Sequence, residues 1–365
     1  MKNTPDHNSA NLNIDYIIPS INTFDNAITV NSQRRKKVLE KLGYTVCLTQ
    51  HVKGNFLQTF LSVLNQKNIL NAVIIRIDGS CALEKYTLLK LFLVHVPFIW
   101  EIHGFPEERL SISTDIQSRW FVQKNNIKRK LLSYFVHTCI FISKDLQLYA
   151  AKKIHIRNSV VIPNFVIPEE YKHIFHNSDA ITEFINKKSC YILWGGDARL
   201  PWQAIDTIEQ VAKQFYTIDK RVIFIMVGSN GWHSFVPPPN MIILNPVSHA
   251  RFIKLIYHAR VCLALYHKPT FFPFYFYPTK ILDYLAMGKP TIASGIGAIR
   301  SLIDDGRNGF LTDNSVKDIS NKIFIVLRNQ QLAKKLTLNA KKGASTHDDS
   351  LAQKQYAFVL HSSLK

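Results

Sequence analysis

The sequence predicts an α/β protein built of two doubly wound domains in tandem, and three observations carry that prediction. Short apolar runs of strand length alternate with helical stretches, the alternation lapses once in a polar stretch near the middle, and 365 residues exceed what a single core usually organises. In the first half the strand-like runs are "YIIPS" (16–20), "YTVCLT" (44–49), "AVIIRI" (72–77), "PFIWEIHG" (97–104), "TCIFIS" (138–143) and "SVVIPN" (159–164). Between them lie helical stretches: the basic "SQRRKKVLEKLG" (32–43), "FLQTFLSVL" (56–64), "KYTLLKLFLVH" (85–95), "RWFVQKNNIKRKLLSYFV" (119–136) and "KDLQLYAAKK" (144–153). Strand, helix, strand in this rhythm predicts a parallel sheet covered on both faces. The second half repeats the logic with "CYILWGG" (190–196), helix 201–215, "VIFIMVG" (222–228), "MIILNP" (241–246), helix 249–259, "VCLALY" (261–266), a short helix near 280 and "TIAS" (291–294). The junction falls at roughly 166–188, giving expected domains 1–170 and 171–345, with a C-terminal helix at 346–365 packing back toward the first domain.

A hydrophobic share of 47% against 19% charged residues describes a packed globular chain and excludes a disordered one. The formal net charge of +19 invites nucleic acid, an anionic membrane or a phosphate-bearing substrate. The charge is spread along both halves without a long basic tail, which argues against nucleic acid. Two local clusters, Arg34 to Lys37 and Lys128 to Lys130, the second beside Trp120, Phe121 and Leu131, predict peripheral binding to an anionic membrane; a plain solvated face is the alternative. Cysteines 47, 81, 139, 190 and 262 stand singly in or beside apolar runs, as buried thiols of a reducing compartment do. The first residues are polar, and no run reaches the ~18 apolar residues of a membrane span, so a cytoplasmic protein is expected. Neither half carries GxGxxG or GxxxxGK[ST], which leaves dinucleotide and P-loop readings without support.

The most informative stretch is "KILDYLAMGKP" (280–290). Pro278 and Thr279 stand where a helix begins, and Gly288 with Pro290 forms the expected ending. Thr279, Lys280 and Asp283 share one face near the N-terminus of that helix. This face is either a surface ion pair between Lys280 and Asp283 or a site, in which exposed N–H groups and the lysine suit a phosphate and the carboxylate suits a sugar hydroxyl.

The segment "YPTKILDYLAMGKPTIASGIGAIRSLIDDGRNGFLTDN" (277–314) resembles the nucleotide-sugar-binding segment of retaining glycosyltransferases of family 4. Weaker matches follow in family order: "WEIHGFPEE" (100–108), "IFISKDLQLYAAKK" (140–153), "VVIPNFV" (160–166) and "WGGDARLPWQAIDTI" (194–208). The resemblance implies the GT-B fold, two doubly wound Rossmann-like domains facing each other across a cleft. It also implies sugar transfer from a UDP- or GDP-linked donor to a glycan or lipid-linked acceptor in cell-surface polysaccharide or glycolipid synthesis. Donor binding then belongs to the C-terminal domain and acceptor binding to the N-terminal one. No metal and no cofactor are implied, because the diphosphate charge in this fold is met by Lys, Arg and helix N-termini.

Residue by residue, the resemblance makes His103 and Lys280 the catalytic candidates. Asp283 becomes the ribose contact, and Thr279, Arg199, Tyr275 and Ser248 become donor contacts, Ser248 through its backbone. Tyr275 stands where the family has a Glu toward the donor sugar. Asp197 and Gln203 stand where many members have the Arg and Lys that hold the diphosphate, with Arg199 as a displaced substitute. The segment "PSINTFDNAI" (19–28) replaces the family's N-terminal glycine loop. Those departures motivate a second reading, a catalytically weakened subunit that binds a sugar nucleotide within a polysaccharide-assembly complex. Asn164 matches an interdomain Asn of the family, but an Asn after Pro is also an ordinary turn residue, and the structural reading is the one expected. Glu107 and Glu108, close to His103, read as solvated loop carboxylates, and "FFPFYFYP" (271–278) reads as core and loop anchoring.

Overall fold

The computed structural model describes residues 12–19, 27–51, 55–79, 82–172, 191–228 and 236–364. The chain divides into two compact units, one made of 1–22, 31–163 and 349–365, the other of 23–30 and 164–348. Most of the polar junction, residues 173–190, lies outside the described residues, as do Cys81, Cys190 and most of the 19–28 segment.

The sheet of the first unit is wholly parallel and has the order β2-β1-β3-β4-β5-β6. Its strands are β1 (Asn13–Pro19), β2 (Thr45–His51), β3 (Leu70–Ile77), β4 (Phe98–Ile102), β5 (Thr138–Phe141) and β6 (Ser159–Val161). The crossover helices are α1 (Ala27–Lys41), α2 (Phe56–Asn65), α3 (Ile116–Leu132) and α4 (Lys144–Ala150). Strands β1, β3 and β4 are buried along nearly their whole length, as continuous apolar runs in a sheet covered on both faces must be. Register places Arg76 of β3 opposite Glu101 of β4, so two charged residues meet inside an otherwise apolar layer.

Three expectations need correction here. The stretch expected as an α-helix at 85–95 is a 3-10 helix, Leu83–Leu91, in which Leu83, Tyr86 and Leu89 are buried. Their spacing of three matches three residues per turn and lines one eclipsed row on the core. The basic cluster of α1 is not an exposed patch, because Arg34 and Arg35 are 1% exposed. They stand three and four residues from both Asn31 and Val38 or Leu39, which puts them on the buried stripe of the helix. Arg129 is buried likewise, donating to the carbonyls of Gly104 and Asp78 at the ends of two strands. Cys47, finally, is exposed on the edge strand β2, whereas Cys139 and Cys262 are buried.

The second unit has its own parallel sheet, β12-β11-β10-β7-β8-β9. Its strands are β7 (Tyr191–Gly196), β8 (Ile223–Gly228), β9 (Met241–Leu244), β10 (Val261–Ala264), β11 (Thr291–Ser294) and β12 (Phe310–Thr312). Helices α5 (Ile205–Ile218), α6 (His249–His258) and α7 (Thr279–Ala286) cross between strands, followed by α8 (Ile299–Leu302), α9 (Val316–Arg328) and α10 (Gln330–Ala344). Helix α5 starts four residues later than its pattern suggested, because 201 and 202 lie in a turn and Gln203 bridges to Tyr266. The last helix, α11 (Asp349–Leu364), belongs to the first unit, where Lys41 on α1 pairs with Asp349 at 2.7 Å.

In chain order the strands of this second sheet lie 3-2-1-4-5-6. The order reverses between β7 and β10, and a doubly wound sheet opens a crevice at the carboxyl ends of two such strands. In the first sheet the reversal lies between β1 and β3.

Candidate functional site

In the second unit the carboxyl ends of β7 and β10 carry Trp194 to Gly196 and Tyr266, and α7 brings Lys280 to them. Lys280 Nζ lies 4.8 Å from the ring centres of both Trp194 and Tyr266 and donates to Gln203 Oε1 at 3.0 Å. Burial pulls its pKa down to about 7. Glycine makes the approach possible: a Cβ on Gly196 would stand 3.1 Å from Lys280 Nζ, and one on Gly228 would stand 2.1 Å from the Gly196 carbonyl oxygen. The Tyr266 ring is steadied by its backbone, whose N–H donates to Ser294 Oγ while its carbonyl accepts from Asn314 Nδ2, both at 2.7 Å.

Asp283 is not the partner of Lys280. It is buried, with Oδ1 accepting from Tyr171 Oη at 2.6 Å and Oδ2 lying 3.2 Å from His249 Nε2. The helical face is therefore no surface ion pair: cation and carboxylate are drawn to opposite neighbours. Helix α7 ends as its sequence required, with Gly288 at φ +67° and Lys289 N–H bonded to the Tyr284 carbonyl. Its beginning is held by Asn164, whose Nδ2 donates to the Tyr277 carbonyl at 2.7 Å and lies 3.4 Å from Thr279 Oγ1.

The other candidates are placed as follows. Ser248 caps α6, its Oγ accepting from Arg251 N–H at 3.4 Å. Arg199 is exposed and grips Asp197 with two bonds of 2.9 and 2.7 Å, neutralising the residue that stands in the family's Arg position. Tyr275 is fully buried, in an aromatic cluster with Phe272 and Phe276 that extends to Trp202.

In the first unit His103 follows β4 and is 7% exposed. Its backbone N–H bonds the Ile77 carbonyl at 2.7 Å, and its Nε2 meets Glu101 Oε1. Burial, with the charge of Arg76 next, lowers the His103 pKa to about 4, so the ring is neutral at pH 7 and its contact with Glu101 is a hydrogen bond. Glu101 is wholly buried and also accepts hydrogen bonds from Tyr16 Oη and Tyr356 Oη, each at 2.9 Å, and forms an ion pair with Arg35, whose Nε lies 2.7 Å from Oε1. Burial alone would raise its pKa, but Arg35 and the hydrogen bond from His103 outweigh that and hold it well below the usual carboxylate range. Glu108 closes the loop beside His103: Oε1 accepts from Phe105 N–H, and a Cβ on Gly79 or Gly104 would collide with this carboxylate.

Sequence reasoning missed Glu101, Trp194, Tyr266 and Tyr171. Only Glu101 carried a usable signal, a carboxylate inside the unbroken apolar run "FIWEI". The aromatic partners of Lys280 could not be singled out among the many aromatics of apolar strands.

Residues 191–329 match the family model described as Glycosyl transferases group 1. No curated protein matches the sequence. Among solved structures, sucrose-phosphate synthase from Thermosynechococcus elongatus superposes with a TM-score of 0.70 at 12% identity, covering 96% of this chain and 98% of that one. HepE of Anabaena, solved with UDP-glucose, gives 0.69 at 18% identity over 96% and 100% of the two chains. A glycosyltransferase from Rickettsia africae gives 0.68 at 15% identity over 98% and 100%. At such identities the likeness is one of fold, and it agrees with the two parallel six-stranded sheets. The chain has the GT-B fold, and its residues 191–329 match the glycosyl transferases group 1 family model.

Proposed function

We propose that the chain transfers a hexose, with retention of anomeric configuration, from a nucleotide-diphosphate sugar to a glycan or lipid-linked acceptor in cell-surface polysaccharide or glycolipid synthesis. The observation that carries this reading is Lys280, a lysine of lowered basicity between two aromatic faces at the switch point, with no carboxylate on it among the described residues. Such a lysine gains most from an arriving diphosphate, which restores its full charge where water is scarce. Uridine is favoured as the base, since HepE of Anabaena has been solved with UDP and with UDP-glucose.

In the transfer, the bond from the anomeric carbon to the leaving phosphate oxygen breaks, and its electron pair stays on the diphosphate. The acceptor oxygen bonds the same face of that carbon, and the acceptor proton passes to the leaving phosphate. Lys280 and the N–H groups opening α7 stabilise the charge that builds on the diphosphate. Asp283 takes the ribose hydroxyls in exchange for Tyr171 or His249, and neutral His103 accepts a hydroxyl hydrogen from the sugar side. Thermal shift with a panel of sugar nucleotides, followed by turnover and determination of the product's anomeric configuration, tests this reading. A uridine diphosphate hexose should raise the melting temperature and yield a product of unchanged configuration. Tight binding with no turnover on any acceptor would favour the weakened-subunit reading instead.

The lipid-linked acceptor implies a membrane-facing, cytoplasmic protein, and α3 is the element that supports it. No helix among the described residues is long and apolar enough to cross a membrane. Helix α3 has five basic residues and no acidic one. It exposes Ile116, Trp120, Ile127 and Leu131, with Tyr134 just beyond, at spacings of three, four and seven that form one stripe beside exposed Lys124 and Lys130. Co-sedimentation with phosphatidylglycerol vesicles should fall severalfold in Trp120→Ser/Leu131→Ser and weaken at high salt; binding indifferent to both would sink the idea.

A further inference from the structure

Glu101 takes no direct part in sugar transfer, yet its buried carboxylate is engaged at both oxygens. Three hydrogen-bond donors and one cation converge on it from four places: Tyr16 on β1, His103 after β4 and Tyr356 on α11 as donors, and Arg35 on α1 as the cation. An ionised carboxylate has no hydrogen to give, so Nε2 of His103 must carry the one in their shared bond. The neutral ring then has an unprotonated Nδ1, which has no partner among the described residues.

We propose that Glu101 is a positioning residue for His103: it fixes the Nε2–H tautomer and the plane of the ring, so that Nδ1 is presented as an acceptor for a sugar hydroxyl, and Tyr356 of the C-terminal helix belongs to that clamp. Each partner does a distinct part. Arg35 supplies the positive charge that keeps Glu101 ionised within an apolar layer. The two phenols occupy Oε2 and leave Oε1 to Arg35 and the imidazole, which prevents the carboxylate from turning away. The inference rests on the reading of His103 as a site residue, and it accounts for a charged group in the middle of a buried strand.

The test uses the full chain labelled with [15N]histidine, the His103 signals being identified by their loss in His103→Asn. Long-range proton–nitrogen spectra should show a protonated Nε2 and an unprotonated Nδ1, unchanged between pH 6 and 8. Glu101→Gln, whose amide can either accept from or donate to Nε2, should mix the two tautomers and lower kcat by about tenfold or more. Donor affinity should stay within about twofold, because Glu101 lies in the first unit and Lys280 in the second. Should Glu101→Gln fail to fold, Tyr356→Phe removes one hydrogen-bond donor of three and keeps the Arg35 ion pair. It should broaden the His103 signals and lower kcat with unchanged donor affinity. Wild-type protein carrying its hydrogen on Nδ1 would overturn the clamp, as would Tyr356→Phe with an unaltered spectrum and kcat. His103→Ala with wild-type kcat would instead overturn the reading of His103 itself, even with the tautomer as stated.

Discussion

Lys280→Ala is expected to lower kcat/KM for the sugar nucleotide by about a hundredfold, ~3 kcal/mol of transition-state stabilisation, while leaving the melting temperature of the free protein nearly unchanged. The two effects separate because the lysine does little for the empty fold. Its contacts with Gln203, Trp194 and Tyr266 are offset by the cost of keeping an ammonium group out of water. The same residue sets a pH dependence. With Lys280 at about 7 in the free protein, donor binding raises its pKa and draws in a proton. Affinity for the nucleotide diphosphate is therefore full below pH 7 and falls as pH rises through that value, by up to about tenfold per unit. Calorimetry at pH 8 in two buffers of different ionisation heat should register the proton taken up, and Lys280→Arg should flatten the profile. Wild-type turnover in Lys280→Ala would remove the site from this helix altogether.

Arg35→Met is the variant expected to cost the fold most. It leaves Glu101 buried without its nearest cation, a change that typically costs about 3–5 kcal/mol, or roughly 10 °C in a unit of this size. The sign of the pH effect should also reverse. In the wild type the folded pKa of Glu101 is depressed, so its contribution is present above the unfolded value and is lost on acidification. Without Arg35, burial dominates and the folded pKa rises. Stability is then greatest on the acid side and declines as pH climbs through the new value. Thermal melts between pH 4 and 8 would show the crossing slopes; parallel curves would mean that Arg35 does not carry the charge balance of this core.

How much of this was legible in the sequence depended on whether a feature is local. The limits of α7 were readable because Pro278, Thr279, Gly288 and Pro290 act through the backbone of the chain they interrupt. Strand positions were readable because sheets covered on both faces demand unbroken apolar runs. Sheet order was not, since it depends on which crossover passes over which strand, and the switch point beside Lys280 follows from that order alone. Arg34 and Arg35 were misread because a run of four basic residues looks like one feature, whereas the helical period sends two inward and leaves Lys37 outside. Whether Lys280 and Asp283 would pair was undecidable without Gln203, Tyr171 and His249, which come from distant positions.

The bond from Tyr356 to Glu101 spans 255 residues of sequence, and that span matters while the protein is being made. At ribosomal rates of 5–20 residues per second, roughly 10 to 50 s separate the synthesis of β4 from that of its last donor. The second unit is contiguous apart from 23–30 and can close during that interval, whereas the first waits for α11. For that period the nascent chain holds a carboxylate inside a forming sheet with part of its support still unmade, and it is then that a chaperone or a protease would find it.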